Sequence, residues 1–261
     1  MPGPVEILFD PLSLVVFALY GAFVLVEAVF PARELPKIAG WRIRSFCAFV
    51  VFFYLATYLP MVWDAYLLPY QLVDLRHLNP YIGAVVGLLV FNFFLYVWHR
   101  LMHESNVLWR VFHQFHHSAE RVDTFGAFYF SPMDIIGFTF LGSVSLVLVA
   151  GLSVEAATLY LYASVFLPLF QHMNVKTPTW IGYVIQRPES HSVHHEKGIH
   201  AYNYADLPIF DMLFGTFKNP TNFAAETGFY SGASSRVMDM LMCHDVSAPK
   251  DESTLESKPL G

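Results

Sequence analysis

Nine of the twelve histidines in this chain fall into a pattern that suits metal chemistry. His99 and His103 form HxxxH. His113, His116 and His117 form HxxHH, and His191, His194 and His195 form it again. His172 stands alone at the end of an apolar run. On a helix, residues i and i+4, or i, i+3 and i+4, project from one side. The spacing therefore predicts that His99 and His103 share a helical face. It likewise puts all three rings of each HxxHH on one face about 100° wide. Three such faces and one helix end could converge on a shared site.

The ligand number narrows the metal. Structural zinc takes about four ligands and catalytic zinc about three plus water. Nine histidines exceed one zinc and suit two ions with open positions left over. Imidazole serves Fe, Zn, Cu and Ni alike; iron is the choice that brings oxygen chemistry. Soluble di-iron proteins use Glu and Glu-x-x-His pairs, which this chain does not offer. A lone histidine near a membrane is more often an interfacial or core residue, but two HxxHH clusters and an HxxxH are not explained that way. His200 is off the face of His195 and reads as a supporting or structural residue. His77 and His244 read as surface histidines.

Something must hold these residues, and composition says what. Hydrophobic residues make up 55% of the 261 and charged residues 14%, against roughly 45–50% and about 25% in soluble domains. Mean hydropathy is +0.45. Five apolar runs, 11–30, 45–63, 81–98, 135–150 and 155–170, are candidate spans. About 17–25 residues cross the hydrocarbon core, so the first three qualify. The last two are slightly short, separated only by Gly151–Val154, and read as a tight helical hairpin or a re-entrant pair. The expected fold is an all-α integral membrane protein with four to five transmembrane helices and a cytoplasmic helical cap. Residues 1–246 form one membrane-embedded domain with the cap in 99–134 and 171–246; 247–261 form a disordered tail rich in Ser, Pro, Lys and Glu.

Charge supplies an orientation. Arg33, Lys37, Arg42 and Arg44 follow the first run, Arg100, Arg110 and Arg121 follow the third, and the loop 64–80 carries only Arg76. By the positive-inside rule the N-terminus is outside and both histidine-rich segments are cytoplasmic. Residues 1–10 lack the basic start of a signal peptide, so the first run is expected to remain as a span. The net charge of -6 argues against nucleic-acid binding, which needs a basic face. Cys47 lies inside an apolar run, so a structural disulfide with Cys243 is not expected, and two cysteines are too few for an iron–sulfur cluster.

The series of boxes between apolar runs resembles the fatty acid hydroxylase/sterol desaturase superfamily. The resemblance rests on Trp109–Asp123 (WRVFHQFHHSAERVD), on Gln171–Asn174 (QHMN) and on Arg187–Phe217 (RPESHSVHHEKGIHAYNYADLPIFDMLFGTF). It covers about residues 80–220 and is closest to bacterial members, implying a bacterial inner membrane. It implies two iron ions held by His99, His103, His113, His116, His117, His172, His191, His194 and His195. It also implies O2 as co-substrate and a membrane lipid, such as a sterol or fatty acyl chain, that is hydroxylated or desaturated. No haem or flavin domain is evident, so electrons would come from a separate ferredoxin or cytochrome with its reductase. One position departs from the pattern. Some members carry a histidine where this chain has Pro168, so one imidazole could be replaced by water, His200 or Asn203; Asn203 reads more naturally as a turn residue.

The same resemblance leaves Glu104, Glu120, Asp123, Glu189, Glu196 and Asp211 as carboxylates that could orient imidazoles, or that are simply solvated charges. Phe91, Phe93, Phe94 and Tyr96 could line a lipid tunnel, or be ordinary span packing. Ether-lipid cleavage and aldehyde oxidation are further chemistries of the superfamily. A metal transporter would keep its polar groups near the bilayer midplane; here Glu27 is the clearest carboxylate within a run, and it lies near one end. A membrane zinc hydrolase would need fewer histidines and a general base.

Overall fold

The computed structural model describes residues 1–249. Its helices are α1 (Pro4–Leu8), α2 (Pro11–Val29), α3 (Trp41–Leu67), α4 (Pro80–Glu104), α5 (Asn106–Phe112), α6 (Gln114–His117), α7 (Pro132–Ser143), α8 (Val154–His172), α9 (Pro188–His194), α10 (Ile209–Phe214) and α11 (Val237–Leu241). No strand is formed among the described residues; one isolated bridge joins Glu196 to Thr227.

Local sequence sets the helix starts. Proline opens α2, α4 and α7, where its missing N–H costs nothing. The preceding Asp10, Asn79 and Ser131 each accept a main-chain N–H of the first turn, as Ser153 does for α8. Ser131 and Asp134 complete a reciprocal capping box.

Five helical stretches are long and apolar enough to span a membrane: Pro11–Val29, Trp41–Tyr70, Pro80–Glu104, Pro132–Val149 and Val154–His172. All but the first are longer than the expected runs; α4 continues past the apolar residues to carry His99 and His103. The fourth reaches full length because α7 runs on as a π-helical turn over Val144–Val149. The freed carbonyls at that end are met by the loop after α3, with Leu72 N donating to Leu148 O at 2.7 Å and Val73 N to Val149 O at 3.1 Å.

The last two spans do not form the expected tight hairpin. The link between them is short, but α7 packs on α3 while α8 packs on α4 and α2. Gly83 on α4 allows α8 this close approach, since a Cβ there would lie 2.9 Å from Ala156 Cβ; Gly87 makes room for the link before α8, where a Cβ would lie 2.6 Å from Leu152 Cδ1. The two helices that carry His103 and His172 at their ends are thereby locked together, and the divergence of α7 from α8 leaves space inside the bundle.

Beyond these ends, residues 105–131 and 173–249 fold over one face of the bundle. Carboxylates tie that layer down. Glu27 Oε2 accepts from Thr124 N (2.7 Å), Thr124 Oγ1 (2.6 Å) and Asn174 N (3.0 Å), joining α2 to both histidine-bearing segments. Asp123 accepts from the indole of Trp41, the guanidinium of Arg121 and Gly126 N. Both cysteines are free. Of the expected tail, Ser247 accepts a hydrogen bond from Trp109 at 3.2 Å; from residue 250 onward the tail lies outside the described residues.

Candidate metal centre

Helix α4 delivers His99 and His103, and α8 ends on His172. The other six rings come from short helices of the covering layer. The α5 helix breaks at His113, whose backbone (φ -147°, ψ -24°) starts the single turn of α6. Helix α9 carries His191 and His194 and is capped by His195. Its base is fixed by Arg187, which is fully buried. The guanidinium pairs with Glu189 at 3.0 Å and donates to Thr177 O, Thr177 Oγ1 and Asn219 Oδ1.

All nine expected histidines come together, in two groups. His99, His103, His113, His117 and His194 form one; His116, His172, His191 and His195 form the other. Within each group one ring nitrogen per residue lies within 4.8 Å of all the others. The division corrects the expectation that each HxxHH presents three rings to one place. The outer residues of a box, one helical turn apart, share a group, whereas the third ring crosses over. His116 leaves its box for the group of His191 and His195, and His194 leaves its box for the group of His113 and His117. The reason is angular: neighbouring helical residues point about 100° apart, so positions i+3 and i+4 can face two centres.

Ring tautomers follow from the partners. Carbonyl oxygens only accept, so a ring nitrogen hydrogen-bonded to one carries the proton. His99 Nδ1 donates to Tyr204 O (2.6 Å), His194 Nδ1 to Tyr202 O (2.7 Å), His172 Nδ1 to Pro168 O (2.8 Å) and His116 Nδ1 to Tyr129 O (3.4 Å). Each Nε2 is then a bare lone pair turned inward. These atoms crowd together: His99 and His113 at 2.7 Å, His117 and His194 at 3.0 Å, His172 and both His116 and His191 at 3.1 Å. Burial holds the rings His113, His116, His117, His191, His194 and His195 well below the usual imidazole range, favouring the neutral, ligating form. Converging neutral lone pairs repel one another unless a cation lies between them. The donor set thus fits two metal ions.

Backbone strain positions the carbonyls. His200, Tyr202 and Asn203 have φ of 43°, 71° and 50°, a region costly for residues with a side chain. This kinked loop aims the Tyr202 and Tyr204 carbonyls at two rings. Asn203 holds the kink with its amide, donating to Ser190 O and Lys218 O and accepting from Lys218 N. It stands outside both groups, as does His200, whose Nδ1 is 3.1 Å from His117 Nδ1. The group containing His172 therefore has four imidazoles against five, and Pro168 contributes a carbonyl to His172 instead of a ring. His77 and His244 are exposed.

The six carboxylates do not touch the rings directly. Glu104 pairs with Arg100 at the surface, Glu120 caps Gly232 N, and Glu196 lies at the bridge to Thr227. Asp123 and Glu189 brace the covering layer as described. Asp211 acts at one remove, accepting Tyr204 N (2.8 Å) and Ala205 N (3.0 Å) beside the carbonyl that holds His99. The carboxylate nearest a ring is one not foreseen, Asp134, with Oδ1 3.5 Å from His113 Nδ1. Its place in the S-P-M-D capping box was the available signal.

A cavity of about 750 Å³ runs through the bundle onto this centre. One end is bounded by His99, His113, His116, His172 and His191, the other by Gln71, Arg76 and Leu152. Its walls include Phe52, Phe91, Leu95, Phe138, Leu146 and Val165. Of the four aromatics expected along α4, only Phe91 lines it. Phe93 faces outward, and Tyr96 packs on Tyr204 and Phe214.

The fatty acid hydroxylase family model matches residues 84–216. The chain belongs to that family. The matched stretch contains all nine grouped histidines. The chain is 35% identical over 141 residues to the ornithine lipid hydroxylase OlsE of Rhizobium tropici, covering 52% of this chain and 42% of the relative. It is 26% identical over 140 residues to the very-long-chain aldehyde decarbonylase GL1-9 of Oryza sativa subsp. indica, covering 51% of this chain and 53% of that protein. It is 24% identical over 137 residues to sphinganine C4-monooxygenase 1 of Arabidopsis thaliana, covering 51% and 53%. The chain spans about half the length of these relatives. No solved structure gives a significant match.

Proposed function

We propose that the chain uses O2 to hydroxylate a C–H bond of a membrane lipid at a centre of two iron ions. The observation that carries this reading is the long apolar cavity that opens onto both histidine groups. In this reading His99, His103, His113, His117 and His194 hold one ion, and His116, His172, His191 and His195 the other. The iron pair, with O2 and two electrons, supplies the oxidising power for an unactivated C–H bond, turning R–H, O2 and two protons into R–OH and water.

The chain's part is placement. Backbone carbonyls at Tyr129, Pro168, Tyr202 and Tyr204 fix ring tautomers and orientations, the usual work of partners behind a metal ligand. Phe130 and Phe138 pack against His116 and His113 and exclude water where the cavity meets the rings. The apolar walls take the hydrocarbon of the substrate. A group with four imidazoles offers fewer protein ligands than one with five, and leaves more room for a small molecule.

Residues 1–246 act as one membrane-embedded unit. The basic residues Arg33, Lys37, Arg42, Arg44, Arg110 and Arg121 lie toward the histidine side, which supports a centre at the cytoplasmic face of a bacterial inner membrane. A separate ferredoxin or cytochrome with its reductase delivers the electrons. The test is metal content of detergent-purified protein from iron-replete cells, beside His194→Ala, followed by lipid turnover with O2 and a reductase system. Close to two irons per chain, reduced in the variant, with a product one oxygen heavier, support the reading. One tightly bound zinc in both proteins overturns it.

A further inference from the structure

We propose that Asp206 and Gln171 recognise a hydrogen-bond donor on the lipid, a hydroxyl or an amide N–H, close to the carbon that is oxidised. The inference rests on the reading of the cavity as a lipid site.

The two side chains line the cavity and each is only 7% exposed. Gln171 Nε2 donates to Asp206 Oδ1 at 3.0 Å. That is the one hydrogen bond to this carboxylate among the described residues. A carboxylate can accept about four, and buried polar groups are normally satisfied. Two other buried aspartates of the covering layer conform: Asp211 accepts from Tyr204 N, Ala205 N and Thr216 Oγ1, and Asp123 accepts from Trp41, Arg121 and Gly126. Asp206 differs from both in keeping an unused oxygen at the wall of an apolar cavity.

A purely structural role does not account for this. The loop around Asp206 is already held by other groups. Leu207 N donates to Asn92 Oδ1 at 2.8 Å, Gln186 N to the Asp206 main-chain carbonyl at 2.8 Å, and Asp211 takes Tyr204 N and Ala205 N. The carboxylate adds little to that anchoring.

The pair also sits beside both histidine groups. Gln171 immediately precedes His172, and Tyr204, two residues before Asp206, holds His99. Leu207 reaches Asn92, two turns before His99 on α4, or about 10 Å at 1.5 Å per residue. A donor bound by Asp206 therefore lies on the histidine side of the cavity, and the alkyl chain fills the apolar length toward Leu146 and Leu152. Burial raises the Asp206 carboxyl to about 7, so an ionised fraction is present at neutral pH to accept from such a donor.

The experiment compares octadecanamide, which has amide N–H donors, with octadecane, which has none. Both are added to metal-loaded protein in detergent, and affinity is read from the shift in thermal midpoint. The amide should bind the unsubstituted protein more tightly. Asp206→Leu should remove about 10- to 100-fold of that preference, the range for a hydrogen bond to a charged group, with octadecane binding and metal content unchanged. Asp206→Asn, which keeps the shape, should weaken the preference too, and it decides the matter if the leucine variant does not fold. Equal binding of the two probes, or a preference that survives both substitutions, overturns the proposal. Absence of iron or of lipid oxidation would instead strike the oxygenase reading while leaving the amide preference intact.

Discussion

Removing the Asp211 side chain should weaken metal binding although Asp211 touches no histidine. Its carboxylate accepts Tyr204 N at 2.8 Å, Ala205 N at 3.0 Å and Thr216 Oγ1 at 2.7 Å. Asp211→Ala leaves two main-chain N–H groups without their acceptor, at about 1–3 kcal/mol each. The segment they anchor contains three residues with left-handed backbone, His200, Tyr202 and Asn203, each holding about 1–3 kcal/mol of strain. The lost anchoring, roughly 2–6 kcal/mol for the two groups, is comparable to that strain, so the loop relaxes and the Tyr204 carbonyl leaves His99 Nδ1. Loss of such a partner behind a ligand costs about 10- to 100-fold in metal affinity. Competition with a chelator, read by elemental analysis, measures it. Circular dichroism should show the long helices intact, and Thr216→Val, which removes only the hydroxyl, should behave nearly as the parent. A D211A protein with parental metal affinity would refute the idea that the loop tunes the ligands.

Three further outcomes are expected. The crossing of the boxes predicts that His116→Ala with His191→Ala, two residues of one group, spares the other ion, whereas His116→Ala with His113→Ala, from one box, weakens both; metal per chain separates these. Gly142 lines the cavity and has open space where a Cβ would stand, so Gly142→Phe should fold, keep its metal, and lose turnover of long-chain lipids before shorter ones, as read by mass spectrometry of products. Stripping the metal should lower thermal stability, since saturation at 100-fold over Kd contributes about 2.7 kcal/mol, or roughly 5–10 °C for a chain of this size; equal midpoints with and without metal would contradict the inward lone-pair geometry.

Periodicity and charge made the spans and the histidine inventory legible, because both are local properties. Apolar length located all five helices. It missed the π-turn that lengthens α7, whose end is met by hydrogen bonds from Leu72 and Val73 in the loop after α3. The tight-hairpin reading of the last two spans failed because sequence proximity said nothing of Gly83 and Gly87. Gly83 lets α8 pack on α4 and Gly87 seats Leu152 of the link beside it, while α7 packs on α3. The carboxylates were the least legible. Of the Glu and Asp near a histidine in sequence, Asp123, Glu189 and Asp211 are braces and Glu104 pairs with Arg100 at the surface, whereas Asp134, which approaches His113, looked like a helix cap, which it also is.

The crossed pairing explains why short helices serve where long ones could have been used. If all three rings of each HxxHH faced one ion, each ion would depend on one segment, and the two segments could separate without breaking either set. With His116 and His194 exchanged, residues 113–117 and 191–195 each contribute to both groups, so neither ion can be held unless both segments are seated. His172 and His99 add the same requirement for α8 and α4. Metal bound as proposed would therefore tie both segments of the covering layer to the bundle at once, and the same rings line the cavity.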